Sequence, residues 1–389
     1  MTVFLLVLSI VLFIGLVVVH EYGHFIAARR NGVDVEEFGI FFPPALYKKK
    51  TKAGWVFSLN ALPLGGFVKL KGEHDSDTEP GSYGSASTWA KTKILVAGVT
   101  FNLVTALVMF TLLALLGIPK LIPNQFTVKS DTKVSSQKLI VGYIEPGSPA
   151  EKAGLKSSDQ LIEIQQKGYT PVLIDSKEKL PQLTKAMAGK EVKIFYKRNG
   201  YDNHAVLKLR SSAQVEASRK TAEPKGYLGI APTEVIVQRS TWSAPIVAVG
   251  LSAQITELTF KGLGHAVKGL GGMIAGTATG NKEARQNGQA DASSQVSGPV
   301  GIVVILNNSS TLGIQFVLFI IAIISLTLAI MNILPIPALD GGRLWIMLIS
   351  RAVKRPLSAK QEELINATGF FLLIGLIVLI TIVDVKRFF

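Results

Sequence analysis

The chain has 389 residues, of which 48% are hydrophobic and only 17% are charged. Soluble proteins carry about 25% charged residues, so this composition excludes an ordinary soluble protein and indicates one that lives in a lipid bilayer. The net charge of +14 does not indicate nucleic acid, because no basic helix or basic and aromatic patch gathers it. We expect basic loops beside anionic lipid instead. The chain has no cysteine, so any metal must bind His, Asp or Glu.

Four apolar stretches are long enough to cross a hydrocarbon core as helices, which takes about 20 residues. They cover residues 3–28, 94–117, 314–334 and 365–383. The first begins like a secretory signal, which is the less favoured alternative. It lacks a basic leading segment and a small-residue cleavage site, and its helical pattern continues through His20.

Basic residues predict how the spans are oriented. They concentrate in the loop between the first two spans and in the loop between the last two. These residues are Arg29, Arg30, Lys48, Lys49, Lys50, Lys91, Lys93, Arg343, Arg351, Lys354 and Arg355. By the positive-inside rule both loops are cytoplasmic in a multi-pass protein of the plasma (inner) membrane. Both termini and the central region are then extracytoplasmic, although Lys386 and Arg387 weigh against this.

The segments between the spans differ in pattern. Residues 38–70 contain short β-type runs separated by Pro and Gly, which predicts a small sheet close to the membrane. Residues 126–235 have the size of one α+β domain, with strands at 139–144, 192–196 and 205–209. Residues 242–260 are interpreted as an interfacial helix, with a fifth span as the alternative, and 281–295 as a flexible loop.

The expected fold class is therefore a multi-span α-helical membrane protein with about four transmembrane helices, a membrane-associated β element and one extracytoplasmic α+β domain. The expected regions are, in order, helix 1 (1–37), cytoplasmic-side β element and loop (38–92), helix 2 (93–118), α+β domain (126–235), interfacial helix and loop (240–296), helix 3 (297–343), and cytoplasmic loop with helix 4 (344–389).

The strongest chemical motif is His20-Glu21-Tyr22-Gly23-His24 at the end of the first span. On a helix, residues i and i+4 face the same way, so both imidazoles can reach one Zn²⁺ while Glu21 acts on water. Two packed histidines beside a chance glutamate are the plain alternative. Ionisable residues in an apolar span are costly and usually functional, which favours the metal site.

A hydrolytic zinc site usually has three protein ligands and one open position. The best third ligand is Asp340, which follows Pro335 and Pro337 and precedes Gly341 and Gly342. The prolines end the helix and the glycines allow a sharp turn or a close approach of the backbone. The alternative is that Asp340 only caps the next helix.

These motifs resemble the site-2 protease family of intramembrane metalloproteases, in its bacterial branch of regulated intramembrane proteolysis. The matching segments are HEYGH (20–24), GGFVKLKGE (65–73), the stretch 98–102, SGPVGI (297–302) and NILPIPALDGG (332–342). Their order and spacing also match, so the resemblance covers nearly the whole chain.

The resemblance implies a role for each matching residue. His20, His24 and Asp340 would bind zinc, Glu21 would be the catalytic acid and base, and Asn102 would support the site. The residues expected beside the substrate are Asn332, Pro335, Pro337, Gly66 and Phe67. One departure is Phe41, where many family members have glycine, and it puts the shape of that substrate-facing loop in doubt.

The central domain resembles a PDZ domain through 141–150, 153–155 and 159–162. A loop similar to the peptide-carboxylate loop of that fold comes last, as in circularly permuted bacterial versions. It comprises Gly226, Tyr227, Leu228, Gly229 and Ile230. Such a loop can bind the C-terminus of a peptide. The alternative is a steric filter that binds no peptide, and both remain open.

The expected function is hydrolysis of peptide bonds inside membrane spans, with zinc as the cofactor. The resemblance implies single-pass substrates already cut by another protease, such as anti-sigma factors or remnant signal peptides. Two alternatives are a membrane zinc protease that acts on misfolded proteins and a non-catalytic scaffold that displays the PDZ-like domain. We expect the lipid bilayer as a partner and no nucleic acid.

Overall fold

The computed structural model describes residues 2–74, 77–221, 223–283, 286–288, 298–355 and 357–388. The chain forms two compact units. The first is built from Met1–Leu5, Leu112–Val247 and Ser309–Phe316, and the second from Leu6–Thr111, Ala248–Asn308 and Val317–Phe389. Each unit has its own β-sheet, and the candidate metal centre lies in the second unit.

The main helices are, in chain order, α1 (Thr2–Arg30), α2 (Thr88–Leu116), α3 (Pro149–Lys152), α4 (Lys179–Ala186), α5 (Ser212–Ser218), α6 (Ala244–Thr279), α7 (Pro299–Leu312), α8 (Ile314–Ile333), α9 (Asp340–Ala352) and α10 (Ala359–Phe388). The strands are β1 (Val35–Lys50), β2 (Val56–Leu70), β3 (Ile118–Pro119), β4 (Lys133–Ile144), β5 (Gln160–Gln166), β6 (Val172–Leu173), β7 (Glu191–Arg198), β8 (Tyr201–Lys208) and β9 (Ile230–Arg239).

Four of the described helices are long and apolar enough to cross a membrane. These segments are Val3–Arg30, Thr88–Leu116, Ile314–Ile333 and Ala359–Arg387. They coincide with the four stretches expected from sequence, and they make the chain a membrane protein with β-sheets. Three of them carry many exposed large apolar side chains, as a lipid-facing surface requires, whereas Ile314–Ile333 is half buried among its neighbours.

Several boundaries differ from those expected. The first helix stops at Arg30 and not at 37, because Asn31 and Gly32 end it in a Schellman turn. Gly32 has a φ of 75°, and the N–H of Val33 donates to the carbonyl of Ala28 over 3.0 Å. The β element therefore begins at Val35, three residues before the expected start.

Two further regions are divided differently from the expectation. Residues 297–343 are not one helix, because Gly313, with a φ of 114°, separates α7 from α8, and α9 already begins at Asp340. The helix expected at 242–260 continues to Thr279, since its glycines are interspersed with apolar residues that keep the helix favourable in an apolar setting. The loop expected at 281–295 and Ser297 of the SGPVGI motif lie mostly outside the described residues.

The sheet of the second unit consists of β1 and β2. Residues Phe38, Gly39 and Ile40 pair on both sides, with 57–59 and with 66–68, so both edges of this segment are occupied. Gly66–Leu70 pairs only with the 35–40 segment. The N–H of Leu70 donates to Oε1 of Glu73 over 3.1 Å, but no further described strand pairs with Gly66–Leu70. The outer edge of this segment is therefore a template for another strand.

The sheet of the first unit has the strand order β3-β9-β4-β5-β7-β8, with β6 on β5. The three strands expected from sequence lie within β4, β7 and β8, apart from Leu209, which follows β8 directly. Alternate residues point into one core that includes Val141, Leu161, Ile164 and Ile194. The last strand, β9, pairs antiparallel with the first long strand, β4, so the two ends of this domain lie side by side in the sheet.

Asp131 connects this sheet domain to the start of α6. One carboxylate oxygen accepts the N–H groups of Thr241 and Ser243 over 2.7 and 3.0 Å, and both hydroxyls donate to the same carboxylate. These bonds, that from the Ser243 hydroxyl above all, hold the pKa of Asp131 well below its usual range. Asp131 thus holds the residues that immediately precede the long helix, which begins at Ala244.

Phe41 has a φ of 66°, a backbone conformation that only glycine adopts without strain. This explains why a glycine suits the position.

We predict that Phe41→Gly changes the free energy of unfolding by less than about 1 kcal/mol, because the relief of strain offsets the lost apolar surface. Phe42→Gly removes a ring stacked on Phe67 at 6.3 Å and should destabilise the protein by about 2 kcal/mol or more. Thermal unfolding in detergent measures both, and equal losses would contradict the explanation.

Candidate metal centre

His20, Glu21 and His24 occupy one turn near the end of α1. The two imidazoles share a face of the helix, and their Nε2 atoms are 3.2 Å apart. Their side chains are only 11% and 12% exposed. The i and i+4 spacing thus places both rings as the sequence predicts.

Asp340 supplies a carboxylate from the first turn of α9. Its Oδ2 lies 3.0 Å from Nε2 of His20 and 3.1 Å from Nε2 of His24. The N-cap of α9 is Leu339, and no side chain caps this helix end. Asp340 therefore points at the histidines and does not cap the helix, which removes the capping alternative.

The segment between α8 and α9 folds back tightly enough to need both glycines. A Cβ on Gly341 would lie 2.3 Å from the carbonyl oxygens of Ile333 and Leu334, and one on Gly342 would lie 2.1 Å from that of Ile336. Side chains at these positions are excluded by backbone atoms that cannot move aside. The Gly-Gly pair is thus what brings Asp340 back to α1.

His24 has a defined tautomer. Its Nδ1 lies 2.8 Å from the carbonyl oxygen of Ile94. A carbonyl only accepts, so Nδ1 carries a proton and donates it, and in the neutral ring Nε2 keeps a lone pair. In the neutral ring that lone pair lies 3.1 Å from Oδ2 of Asp340. Two electron-rich atoms this close are held together by a proton on Nε2 or by a metal cation, and Nε2 of His20, 3.0 Å from the same oxygen, adds the further ligand atom that a metal ion needs.

The donor set fits a zinc ion. Tetrahedral zinc with ligands at 2.0–2.1 Å separates its ligand atoms by about 3.3 Å. The three pairs of ligand atoms here are 3.0, 3.1 and 3.2 Å apart. Two imidazoles and one carboxylate leave a fourth position for water or substrate, as hydrolytic zinc sites do.

Gly98 of α2 makes room for this cluster. A Cβ there would lie 2.4 Å from Nε2 of His24 and 2.6 Å from Cε1 of His20. On the opposite side, a Cβ on Gly23 would lie 2.8 Å from the carbonyl oxygen of Ala97. Small residues therefore let α1 and α2 approach closely, as in other membrane helix pairs.

Asn102 lies one turn further along α2 and is fully buried. Its carboxamide nitrogen is 3.3 Å from Nδ1 of His20, and its backbone carbonyl accepts a hydrogen bond of 2.8 Å from the hydroxyl of Ser325 in α8. Ser325 is also fully buried. Helices α1, α2 and α8 are thus joined by polar contacts beside the metal cluster.

Glu21 is adjacent to the edge segment of the β element. A Cβ on Gly66 would lie 3.0 Å from Cγ of Glu21, so this glycine allows the strand to pass directly over the carboxylate. Phe67 lies across Gly39. The structure thus brings Gly66 beside the histidine motif, although the two are far apart in sequence.

The other predicted residues are distributed as follows. Asn332 is in the last turn of α8, Pro335 is exposed, and Pro337 packs against Gly369 of α10. Residues 226–230 belong to the first unit, where Leu228 is buried and Gly229 has a φ of 77°.

Sequence reasoning missed the carbonyl of Ile94 and the hydroxyl of Ser325. A sequence pattern cannot predict which backbone carbonyl will accept a hydrogen bond from a given side chain. A serine in the middle of the mostly apolar stretch 314–334 was a usable signal.

The sequence of the chain is similar to a known protein family and to several named relatives. The family model described as Peptidase family M50 matches residues 8–376. A relative from Campylobacter jejuni, "Putative zinc metalloprotease Cj1068", is 31% identical over 96% of this chain and 90% of its own length. One from Clostridium perfringens, "Putative zinc metalloprotease CPE1693", is 29% identical over 98% of each chain. One from a Nostoc species, "Putative zinc metalloprotease all3971", is 31% identical over 93% of this chain and 90% of its own.

The match of the family model covers almost the whole chain, including the histidine motif and the Asp340 segment. The names of the relatives agree with the donor set, which suits zinc. This membrane protein belongs to the site-2 protease type of metalloprotease, peptidase family M50.

Proposed function

We propose that this protein is an intramembrane zinc protease in which His20, His24 and Asp340 bind the metal. The observation that carries the proposal is the cluster of three possible metal-ligand atoms within 3.2 Å of each other. Two of them come from α1, a candidate membrane span, and one comes from α9, the helix that follows the candidate span α8. Such a cluster in an apolar setting is costly unless a cation holds it together.

Each residue has a distinct task in the proposed reaction. When bound, zinc supplies Lewis-acid activation of water and of the scissile carbonyl. Glu21 accepts the proton of the attacking water and returns it to the leaving amine. The carbonyl of Ile94 orients His24, since a second hydrogen bond fixes the tautomer of a metal-binding imidazole.

Asn102 performs the same task for His20. If Nε2 of His20 faces the metal, Nδ1 carries the proton and needs an acceptor. Oδ1 of Asn102 is buried without a partner among the described residues, and a half-turn of the carboxamide brings it to Nδ1. Asn102 therefore supports the site by accepting the Nδ1 proton of His20.

The free edge of Gly66–Leu70 is the proposed substrate strand site. A helical substrate hides its peptide bonds in its own hydrogen bonds, so the target segment must unwind before cleavage. Pairing with this edge replaces the hydrogen bonds that are lost. Because Gly66 lies against Glu21, a strand paired here passes the proton acceptor. Phe67 contributes to the same edge.

On the opposite side, Asn332, Pro335 and Pro337 would contact the same unwound segment. They belong to the irregular chain that leads from α8 to Asp340. Prolines leave neighbouring carbonyls without a helical partner, and such carbonyls can accept hydrogen bonds from substrate.

The proposed substrates are single-pass membrane proteins already cut by another protease, such as anti-sigma factors and remnant signal peptides in regulated intramembrane proteolysis. In the proposed topology the metal centre lies near the cytoplasmic side. Both termini and the sheet domain of the first unit are extracytoplasmic.

We propose that this domain is PDZ-like. Its loop 226–229 precedes β9, and no hydrogen bond among the described residues uses the N–H groups of Tyr227, Leu228 or Gly229. Free N–H groups of this kind suit a peptide carboxylate. A cleft of about 510 Å³ adjoins the loop at Gly226, Gly229 and Ile230.

One contact favours the alternative of a steric filter. The guanidinium of Arg210 beside this loop donates to both carboxylate oxygens of Glu145, over 2.7 and 2.8 Å, so its charge is already paired. A peptide carboxylate would compete with Glu145 for it.

Two rival functions make different predictions. A protease for misfolded proteins, with a third ligand elsewhere, predicts that Asp340→Ala keeps metal and activity. A non-catalytic scaffold predicts an intact fold that binds no divalent metal.

We predict that Glu21→Gln lowers the cleavage of a membrane-spanning reporter by about 10²-fold or more, because proton transfer is lost. Zinc content should stay at one ion per chain, since Glu21 is not a ligand. Zinc analysis and reporter cleavage in the same purified sample provide the test. Undiminished cleavage at full zinc occupancy would reject the role of Glu21.

We predict that Gly98→Ala lowers zinc affinity by at least about tenfold, because the new methyl group would occupy the space of both imidazoles. Gly15→Ala is the matched control on the apolar helix α1, since apart from the adjoining backbone of α1 itself no described atom lies within 4 Å of the place its methyl group would take. Competition with a fluorescent zinc chelator measures both affinities. Equal zinc affinities for the two variants would contradict the close packing of α2 on the site.

A further inference from the structure

Asp384 is a carboxylate inside the last candidate span. It is 1% exposed, whereas the neighbouring Ile382 and Val385 of α10 are 50% and 46% exposed. A charged group in a mostly lipid-facing helix is costly and needs a partner. The proposed reaction makes no use of it.

The partners of Asp384 are the backbone N–H groups of Gly298 and Gly301. Both donate to Oδ2, over 2.9 and 2.8 Å. Gly298 immediately precedes α7, and Gly301 is the third residue of that helix. An N-cap side chain usually satisfies this third N–H, but glycine has no side chain to do so. Asp384 supplies the missing oxygen from another helix.

The contact depends on glycine at position 298. A Cβ there would lie 3.0 Å from Oδ2 of Asp384 and 2.9 Å from Cγ2 of Ile380. Pro299 follows at the first helical position, where its missing N–H costs nothing. The Gly-Pro-Val-Gly part of the SGPVGI motif is thus shaped to receive this carboxylate.

Helix α10, which carries Asp384, also contacts the segment that leads to Asp340. A Cβ on Gly369 would lie 2.5 Å from Cβ of Pro337, so the backbone of α10 lies directly on this proline. Gly369 and Asp384 are about four helical turns apart. Only 11% of the most apolar 18-residue stretch of this span is buried, so most of that stretch is not packed against other described residues.

We propose that Asp384 is a positioning residue that anchors α10 to the start of α7 and so keeps Gly369 on Pro337. Charge-assisted hydrogen bonds to a helix N-terminus are strong in an apolar setting, where water does not compete. The inference rests on the proposed function for its effect on catalysis, but the anchor itself can be tested without it.

The absence of cysteine allows a direct test in the full-length, zinc-loaded protein. Ile336→Cys and Ile365→Cys introduce two thiols on the walls of one apolar cleft between α10 and the Pro337 segment. The rate at which a short bismaleimide joins them reports how steadily α10 stays in place. We expect Asp384→Leu to lower this rate roughly tenfold, with Asp384→Asn between it and the parent, because an amide oxygen accepts without the charge.

Lys386→Leu is the matched control, since it also replaces a charged residue of α10 by leucine, but at an exposed position. Its cross-linking rate should equal that of the parent. Gly298→Ala disturbs the same contact at the start of α7, and it should lower the cross-linking rate as Asp384→Leu does. The double variant should be no slower than either single one, because both remove the same interaction.

Reporter cleavage should fall in Asp384→Leu while zinc content stays at one ion per chain. An unchanged cross-linking rate in folded Asp384→Leu, or in Gly298→Ala if the former does not fold, would overturn the proposal. The absence of zinc in the parent protein would instead count against the proposed function and leave the cross-linking comparison valid.

Discussion

The mutual approach of two imidazoles and one carboxylate is the interaction on which the rest of the second unit depends. Nε2 of His20, Nε2 of His24 and Oδ2 of Asp340 lie within 3.2 Å of each other. Polar groups this close in an apolar setting need a shared proton or the proposed metal ion, together with enough surrounding structure to hold them in place.

That surrounding structure is made by small residues and backbone carbonyls. Gly98 gives the imidazoles their space, and Gly341 and Gly342 let the chain turn back so that Asp340 arrives. The carbonyl of Ile94 orients His24, and Gly66 lets a strand edge pass beside Glu21. A side chain at Gly98 would collide with the imidazoles, and one at Gly341 or Gly342 would collide with backbone, so the absence of side chains at these positions shapes the site.

Much of this could be predicted from sequence because its signals are periodic or local. The four spans follow from length and hydropathy, and the histidine pair follows from the i and i+4 geometry of a helix. Asp340 could be chosen because prolines and glycines mark an irregular chain beside an acid. Helix ends were less predictable. The break at Gly313 and the stop at Gly32 depend on single residues with positive φ. The carbonyl of Ile94, the hydroxyl of Ser325 and the pairing of Asp384 with Gly298 depend on tertiary contacts that leave no periodic signal.

X-ray absorption at the zinc edge of the purified protein tests the central claim most directly. The account predicts one zinc per chain with a shell of nitrogen and oxygen ligands at about 2.0–2.1 Å and the outer-shell scattering of two imidazoles. Asp340→Ala should remove one light-atom ligand and keep both imidazoles. A spectrum with one imidazole or none, or a shell that Asp340→Ala does not alter, would contradict the assignment of the metal centre.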